Sequence, residues 1–193
     1  MYVYFVKSGY IRVYRVSEDG EELTLVILKP GDLFPFVWSE NDLPNHYYLE
    51  ALTPVDVLKV PKEKFLSFLE SQPRLTYELT SYLLVRFGGL LTRMEYLIFG
   101  NAYTKVAATL LVCAKSFGEQ QGNQVMVNLP LTHKDIATMV GITRETTCLE
   151  MKKLERQGLI SHQGRYFIIK DLQGLEHESL LDEEQDSFLN HSL

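Results

Sequence analysis

Residues Leu131 to Gly158, LTHKDIATMVGITRETTCLEMKKLERQG, constrain the fold of this chain more than any other stretch. They predict two short helices joined by a three-residue turn. Thr132 is placed to N-cap the first helix, and Asp135 follows three positions on, a variant of the capping box. Ile136, Met139 and Val140 form an apolar stripe at helical spacing, and Ala137 is small where a second helix has to cross closely. Gly141 ends the helix, because glycine takes left-handed backbone without steric cost. Ile142 is the apolar plug of the turn and Thr143 caps the next helix, so Arg144 and Glu145 stand at its exposed N-terminal end. Leu159–His162 and Tyr166–Ile169 then flank Gln163-Gly164, the tight turn of a wing. The whole reads as a winged helix-turn-helix, a unit that places its second helix in the DNA major groove. A plain helical hairpin is the alternative. The Ala–Gly spacing, the paired caps and the wing agree against it.

The net charge of −6 looks wrong for such a unit, and its distribution resolves the conflict. Residues 101–172 carry nine basic and six acidic side chains, whereas residues 173–193 carry no Lys or Arg and six acids. The positive balance falls where attraction to phosphates requires it. The acidic stretch predicts a mobile tail that repels DNA and, with Phe188 and Leu189, offers a docking segment for a protein partner.

A chain of 193 residues makes one large or two small domains. No apolar run reaches membrane-spanning length, and Met1–Val6 is too short for a signal peptide and lacks a basic leader, so the expectation is a cytoplasmic protein without a membrane partner. The two cysteines, Cys113 and Cys148, give neither a disulfide framework nor metal-ligand spacing. Cys113 reads as a buried thiol on an apolar helix face and Cys148 as a small filler in the second helix of the motif. No nucleophile elbow, Walker loop, metal cluster or cofactor motif is evident, and His133 near Asp135 and Glu145 reads as solvated surface rather than a catalytic group.

Upstream, Met1–Val6, Tyr10–Val16, Leu23–Leu28, Tyr47–Leu52 and Val55–Val60 read as strands, with turns at Ser17-Glu18-Asp19-Gly20 and Lys29-Pro30-Gly31-Asp32. Short strands with regular turns suggest a small barrel or roll. Pro61 to Glu70 predicts a helix with Pro at its first position. Pro73 opens a longer one reaching about Phe99, in which Thr80, Leu83, Phe87, Leu90, Met94 and Leu97 take heptad a and d positions. Leu84, Leu91 and Ile98 make a second apolar stripe. Two apolar faces need two partners, and the expectation is the roll on one side and the same helix of a second subunit on the other. Gly88-Gly89 inside this helix, each costing about 1 kcal/mol against Ala, predicts either close packing or a soft point. A helix over 102–117, a loop over 118–123 and a short strand at 124–128 lead into the motif.

The order β-roll, long helix, winged helix-turn-helix resembles the cyclic-AMP receptor protein/FNR family of bacterial transcription regulators. The likeness rests on Gly9, Gly20-Glu21-Glu22 and Leu28-Lys29-Pro30-Gly31-Asp32-Leu33-Phe34 in the roll, and on Gly141-Ile142-Thr143-Arg144-Glu145-Thr146 in the reading unit. It implies an α+β fold: a cyclic-nucleotide-binding-like β-roll over 1–72, a dimerisation helix over 73–100, a winged helix-turn-helix over 101–172 and an acidic tail over 173–193. Family members carry further strands before the point where this chain starts, so the roll is expected to be short at its N-terminal side.

The resemblance implies that Arg144, Glu145 and Thr146 read bases, and that Thr132, Lys134, Thr143 and Arg165 hold phosphates. It implies a dimer interface of Leu83, Phe87, Leu90, Met94 and Leu97. In relatives a second Arg, four residues after the Glu, contacts guanine. Here Leu149 stands there and offers only methyl contacts, so the operator is expected to differ, each lost bidentate contact being worth about 1–3 kcal/mol of discrimination. Glu150 stands where an apolar residue usually faces the core, leaving Met151 and Leu154 to carry that packing.

The effector residues of cyclic-nucleotide binders are replaced by Pro35-Phe36, Asn45-His46 and Leu90-Leu91. A buried phosphodiester would find no cation there. Phe34, Phe36, Tyr47, Tyr48, Leu90 and Leu91 instead suggest an apolar, aromatic-walled pocket for an unknown small effector, with Trp38 nearby; the same rings also fit plain roll core. An iron–sulfur centre lacks its cysteines, and His46 as a haem ligand is the weaker reading of a lone His. The expected partners are double-stranded DNA, a second copy of the chain, RNA polymerase and that effector. The alternative is a small-molecule sensor acting through protein contacts, without sequence-specific DNA binding.

Overall fold

The computed structural model describes residues 2–34, 47–179 and 181, in two compact units, Met1–Leu84 and Val85–Leu193. In the first unit, alternating strands β1 (Tyr2–Ser8), β2 (Ile11–Val16), β3 (Glu22–Leu28), β4 (Leu33–Phe34), β5 (Tyr48–Ala51) and β6 (Asp56–Pro61) make two antiparallel sheets of order β4-β1-β6 and β3-β2-β5. Val6, Ile11, Val13 and Leu28 form the core, with Val26, Phe34 and Val55 packed on it. β4, only two residues long, has too little periodicity to be read from sequence.

Period-two alternation sends Arg12 to the face of β2 opposite Ile11 and Val13. It is nevertheless only 4% exposed. Its Nε donates to Thr24 Oγ1 at 2.7 Å, Nη1 and Nη2 reach Glu50 and Glu22 at 3.0 and 2.7 Å, and the guanidinium lies 4.3 Å over the Tyr14 ring. Two carboxylates and a ring satisfy the buried cation and tie three strands together.

Helix α1 (Lys62–Ser71) begins one residue later than expected: Pro61 is its N-cap and the last residue of β6. Helix α2 (Pro73–Phe99) has the expected bounds. Its N-terminal part belongs to the first unit, where the Tyr82 hydroxyl donates to Asp32 Oδ1 at 2.5 Å. The units part between Leu84 and Val85, inside α2, whereas Gly100 and Asn101 mark the helix end.

The face of α2 that the single chain buries is not one of the two apolar stripes. Gly89, Thr92, Arg93 and Tyr96 are buried, a three-and-four spacing that puts small and polar groups inward. Both apolar stripes are exposed: Leu83, Phe87, Leu90 and Met94, and also Leu84, Leu91 and Ile98; Leu97 is half-buried. Glycine permits close approach, and Arg93 finds a carbonyl partner described below. The leucines have neither property, so hydropathy alone does not predict this buried face.

In the second unit, helix α3 (Ala102–Phe117) starts at Asn101, whose side chain accepts from the Thr104 N–H at 3.0 Å. It is buried almost all round, and Ile136, Met139, Met151, Leu154, Phe167, Ile169 and Leu175 join it in the core. The expected loop over 118–123 is instead strand β7 (Gly118–Gln121) turning into β8 (Gln124–Val127). Gly118 makes the helix-to-strand passage possible, since a Cβ there would sit 2.0 Å from the Ala114 carbonyl oxygen. Helices α4 (His133–Val140) and α5 (Arg144–Arg156) follow, then strands β9 (Ile160–Gln163) and β10 (Tyr166–Ile169), giving a sheet of order β7-β8-β10-β9.

A last helix, α6 (Leu172–Ser179), replaces the first part of the expected acidic tail. It packs on α3 through buried Leu175, and Glu176 meets Lys115 at 2.7 Å. Residues 173–179 are therefore part of the domain rather than a tail, and Phe188 and Leu189 lie outside the described residues.

Candidate nucleic-acid interface

The turn between α4 and α5 has the expected local chemistry. Thr132 Oγ1 accepts from the Asp135 N–H at 3.2 Å, while the Thr132 N–H and hydroxyl donate to Asp135 Oδ2 at 2.6 and 2.7 Å. Gly141 takes φ 68°, and its N–H donates to the Ala137 carbonyl. Thr143 Oγ1 accepts from the Thr146 N–H at 3.1 Å, and the two hydroxyls lie 2.9 Å apart. The first turn of α5 is thereby rigid, with Arg144 and Glu145 exposed on it. The helix macrodipole adds partial positive charge at this end.

Burial divides α5 into two faces. Thr147, Glu150, Met151 and Leu154 are inward. Thr147 donates to the Thr143 carbonyl, and Glu150, 8% exposed, has Lys153 Nζ 2.6 Å from its Oε2. Met151 and Leu154 thus do not carry the packing alone, since Thr147 and the stem of Glu150 share it. Opposite them, Glu145, Leu149, Lys152 and Arg156 are all exposed at spacings of four, three and four, one outward stripe. Cys148 is half-buried beside it, and Cys113 is fully buried, its thiol pushed up to about 12 by burial.

Two histidines and the wing arginine lie in the same unit as this stripe. His133 stacks on Phe167, ring centroids 6.3 Å apart. Burial holds its pKa below the ordinary value, with Glu155 opposing and His162, Arg144 and Lys152 adding to the depression. His162 Nδ1 lies 2.9 Å from Glu155 Oε1. At the wing, Gly164 turns with φ 62° and Arg165 Nη2 is 3.4 Å from the Pro130 carbonyl.

The expected site residues therefore separate by role. Arg144 and Glu145 face outward and Lys134 and Arg165 are exposed, as expected. Thr146 is half-buried with its hydroxyl against Thr143, and the donors of Thr132 are spent on Asp135. Thr132, Thr143 and Thr146 each use their hydroxyl in a cap three residues away. Sequence reasoning passed over Lys152 and Arg156, although their helical spacing from Glu145 was legible.

Arg93 was also missed, for want of any pattern around a lone Arg in an apolar helix. It is 4% exposed, and its Nη2 donates to the Met139 carbonyl at 2.8 Å. That carbonyl belongs to the last turn of α4, which lacks helical N–H partners and favours a cation. α2 is thus tied to the turn that aims α5.

The residues of the expected effector pocket are described in part, each within its own unit. Phe34 packs on the roll core and stacks on Tyr4 at 5.2 Å, while Tyr48 stacks on Tyr14 at 5.4 Å, on the Arg12 side of β2. The two rings belong to different sheets, Phe34 to β4-β1-β6 and Tyr48 to β3-β2-β5, and Tyr47 is exposed. Leu90 and Leu91 belong to the other unit and are exposed. Phe36, with Pro35, Trp38, Asn45 and His46, lies outside the described residues. The roll does have a groove, lined by Phe5, Leu58, Val60, Phe65 and Phe68 with Lys59 and Lys64. No helix among the described residues is long and apolar enough to cross a membrane.

Comparison with known proteins agrees with this architecture. A cyclic nucleotide-binding domain matches residues 1–72 and a Crp-like helix-turn-helix domain matches residues 104–178, the latter reaching through α6. The chain is 28% identical over 173 residues to the CRP-like cAMP-activated global transcriptional regulator of Mycobacterium tuberculosis strain H37Rv, covering 90% of this chain and 77% of that protein. It is similar to the structure of a doubly substituted CooA mutant from Carboxydothermus hydrogenoformans, at TM-score 0.75 and 27% identity over 92% of this chain and 78% of that one. FixK2 from Bradyrhizobium japonicum shares the fold at TM-score 0.79 and 23% identity, over 94% and 88% of the two chains. The chain belongs to the cyclic-AMP receptor protein/FNR family. The members of that family are DNA-binding transcription regulators rather than enzymes.

Proposed function

We propose that this chain acts as a homodimeric, sequence-specific transcription regulator that sets one α5 in each of two successive major grooves of a pseudo-palindromic duplex. The observation that carries the reading is the outward stripe of α5, charged and exposed above a rigidly capped first turn. Arg144 and Glu145 read base edges; Lys134, Lys152, Arg156 and Arg165 hold phosphates. The exposed leucines of α2 support self-association, since an apolar stripe of this length marks a protein interface.

The mycobacterial relative is named as cAMP-activated. We do not extend that effector to this chain: Leu90 and Leu91 offer methyl groups where a sugar and phosphate need polar partners. An effector other than cyclic AMP, and contact with RNA polymerase, complete the reading.

Selection of bound duplexes from a random pool, alongside sedimentation of the purified chain, tests it. The expected result is enrichment of a two-fold symmetric site by a dimer, lost on Arg144→Ala. Equal binding by that variant removes the role of Arg144. Absence of any salt-dependent binding favours a sensor working through protein contacts.

A further inference from the structure

Leu149 is the only apolar side chain on the outward stripe of α5, and it is 60% exposed. Glu145 precedes it by one turn, and Lys152 and Arg156 follow on the same face. Most of its surface is left open by α4, the wing and the rest of α5. An isobutyl group in the middle of a charged stripe gains nothing from water. On the face aimed at a duplex it has one complementary surface, the C5-methyl of thymine, the apolar group that the major groove displays.

We infer that Leu149 is a specificity-determining residue that selects thymine in the operator by contact with its 5-methyl group. The inference rests on the proposed DNA-reading role of α5 and adds to it the identity of a base. The geometry also bounds where that base lies. Four helical residues rise about 6 Å, and base pairs are stacked about 3.4 Å apart, so the selected thymine lies within two base pairs of the pair met by Glu145. Glutamate accepts hydrogen bonds and so favours cytosine there, which makes the half-site a cytosine and a thymine in close register.

The test separates this inference from the reading beneath it. A site is first selected from a random duplex pool with the full-length chain. Each thymine of that site is then replaced by deoxyuridine, which removes the methyl and leaves every hydrogen-bonding group in place. The expected result is one thymine per half-site whose replacement weakens binding about fourfold, the factor for burying one methyl-sized group, and about fifteenfold when both half-sites are changed. Leu149→Ala is expected to bind the thymine and deoxyuridine sites equally, and Leu149→Arg to move the preference at that position to guanine. Since Leu149 is exposed, neither variant threatens the fold, and an unchanged melting temperature checks this.

Enrichment of a site by the parent without any methyl dependence overturns the inference alone. A methyl-sensitive thymine more than two base pairs from the position relaxed by Glu145→Ala also overturns it, as does equal methyl sensitivity in Leu149→Ala. Failure of the parent to enrich any duplex overturns the DNA-reading role and the inference with it.

Discussion

Helices α2 and α5 are built inside out with respect to each other. α5 buries Thr147, Glu150, Met151 and Leu154 and shows charge around one leucine; α2 buries Gly89, Thr92, Arg93 and Tyr96 and shows leucines and a phenylalanine. A helix that serves only its own core hides its apolar side. α2 does the reverse along its C-terminal half, so its apolar side serves something else. On the proposed reading, the outward face of each helix answers to its partner: a polyanion for α5, a second apolar surface for α2.

The contrast breaks most visibly at α2. Phe87→Glu with Leu90→Glu places charges on the exposed stripe without touching the buried face. It is expected to yield a folded single subunit and to lower operator affinity by roughly 10²–10⁴, the advantage that linking two half-sites confers. Sedimentation and gel shift measure the two effects. A variant that stays dimeric removes the stripe from the interface.

At α5 the expected effects are local. Arg144→Ala should cost about 1–3 kcal/mol of discrimination at one base pair in each half-site, read from competition between matched and mismatched duplexes. The buried polar face of α2 gives a similar loss in a different observable. Arg93→Met leaves the Met139 carbonyl without its partner and is expected to destabilise the fold by about 1–3 kcal/mol in thermal or urea unfolding. Arg74→Met, on the exposed start of the same helix, should change stability by less than about 0.5 kcal/mol. Smaller again, Lys152→Ala should reduce the slope of log affinity against log salt by about one, with equal effect on specific and random duplexes.

The smallest effect concerns pH. Burial and neighbouring cations hold His133 below the ordinary histidine value of about 6.5, so the unfolded chain takes this proton before the folded one does. The contribution of His133 to stability is complete above about pH 6.5 and is lost as pH falls through the lower folded value. His133→Asn is expected to flatten that part of the profile between pH 7.5 and 5. An unchanged slope would place the titration elsewhere.

Much of the reading unit was legible because its determinants are local. Thr132, Asp135, Gly141 and Thr143 act over three or four residues, and each makes the hydrogen bond or takes the dihedral angle that its type predicts. At Thr132 and Thr146, expected on phosphates and bases, the same locality gives the hydroxyls a part in the caps as well. β7 was missed because Gly118-Glu119-Gln120-Gln121 has no apolar alternation; it is a strand because β8 pairs with it. α6 was missed because its acidic composition spoke louder than the single buried Leu175.

Local spacing, capping chemistry and the sign of charge along the chain were enough to specify a winged helix-turn-helix behind a long apolar helix, since these act between near neighbours. Which face of α2 turns inward, where Phe34 and Tyr48 point, and that Arg93 closes the end of α4 depend on contacts between residues far apart in the chain. Close packing and the need to pair every buried polar group choose among faces that hydropathy alone leaves equivalent.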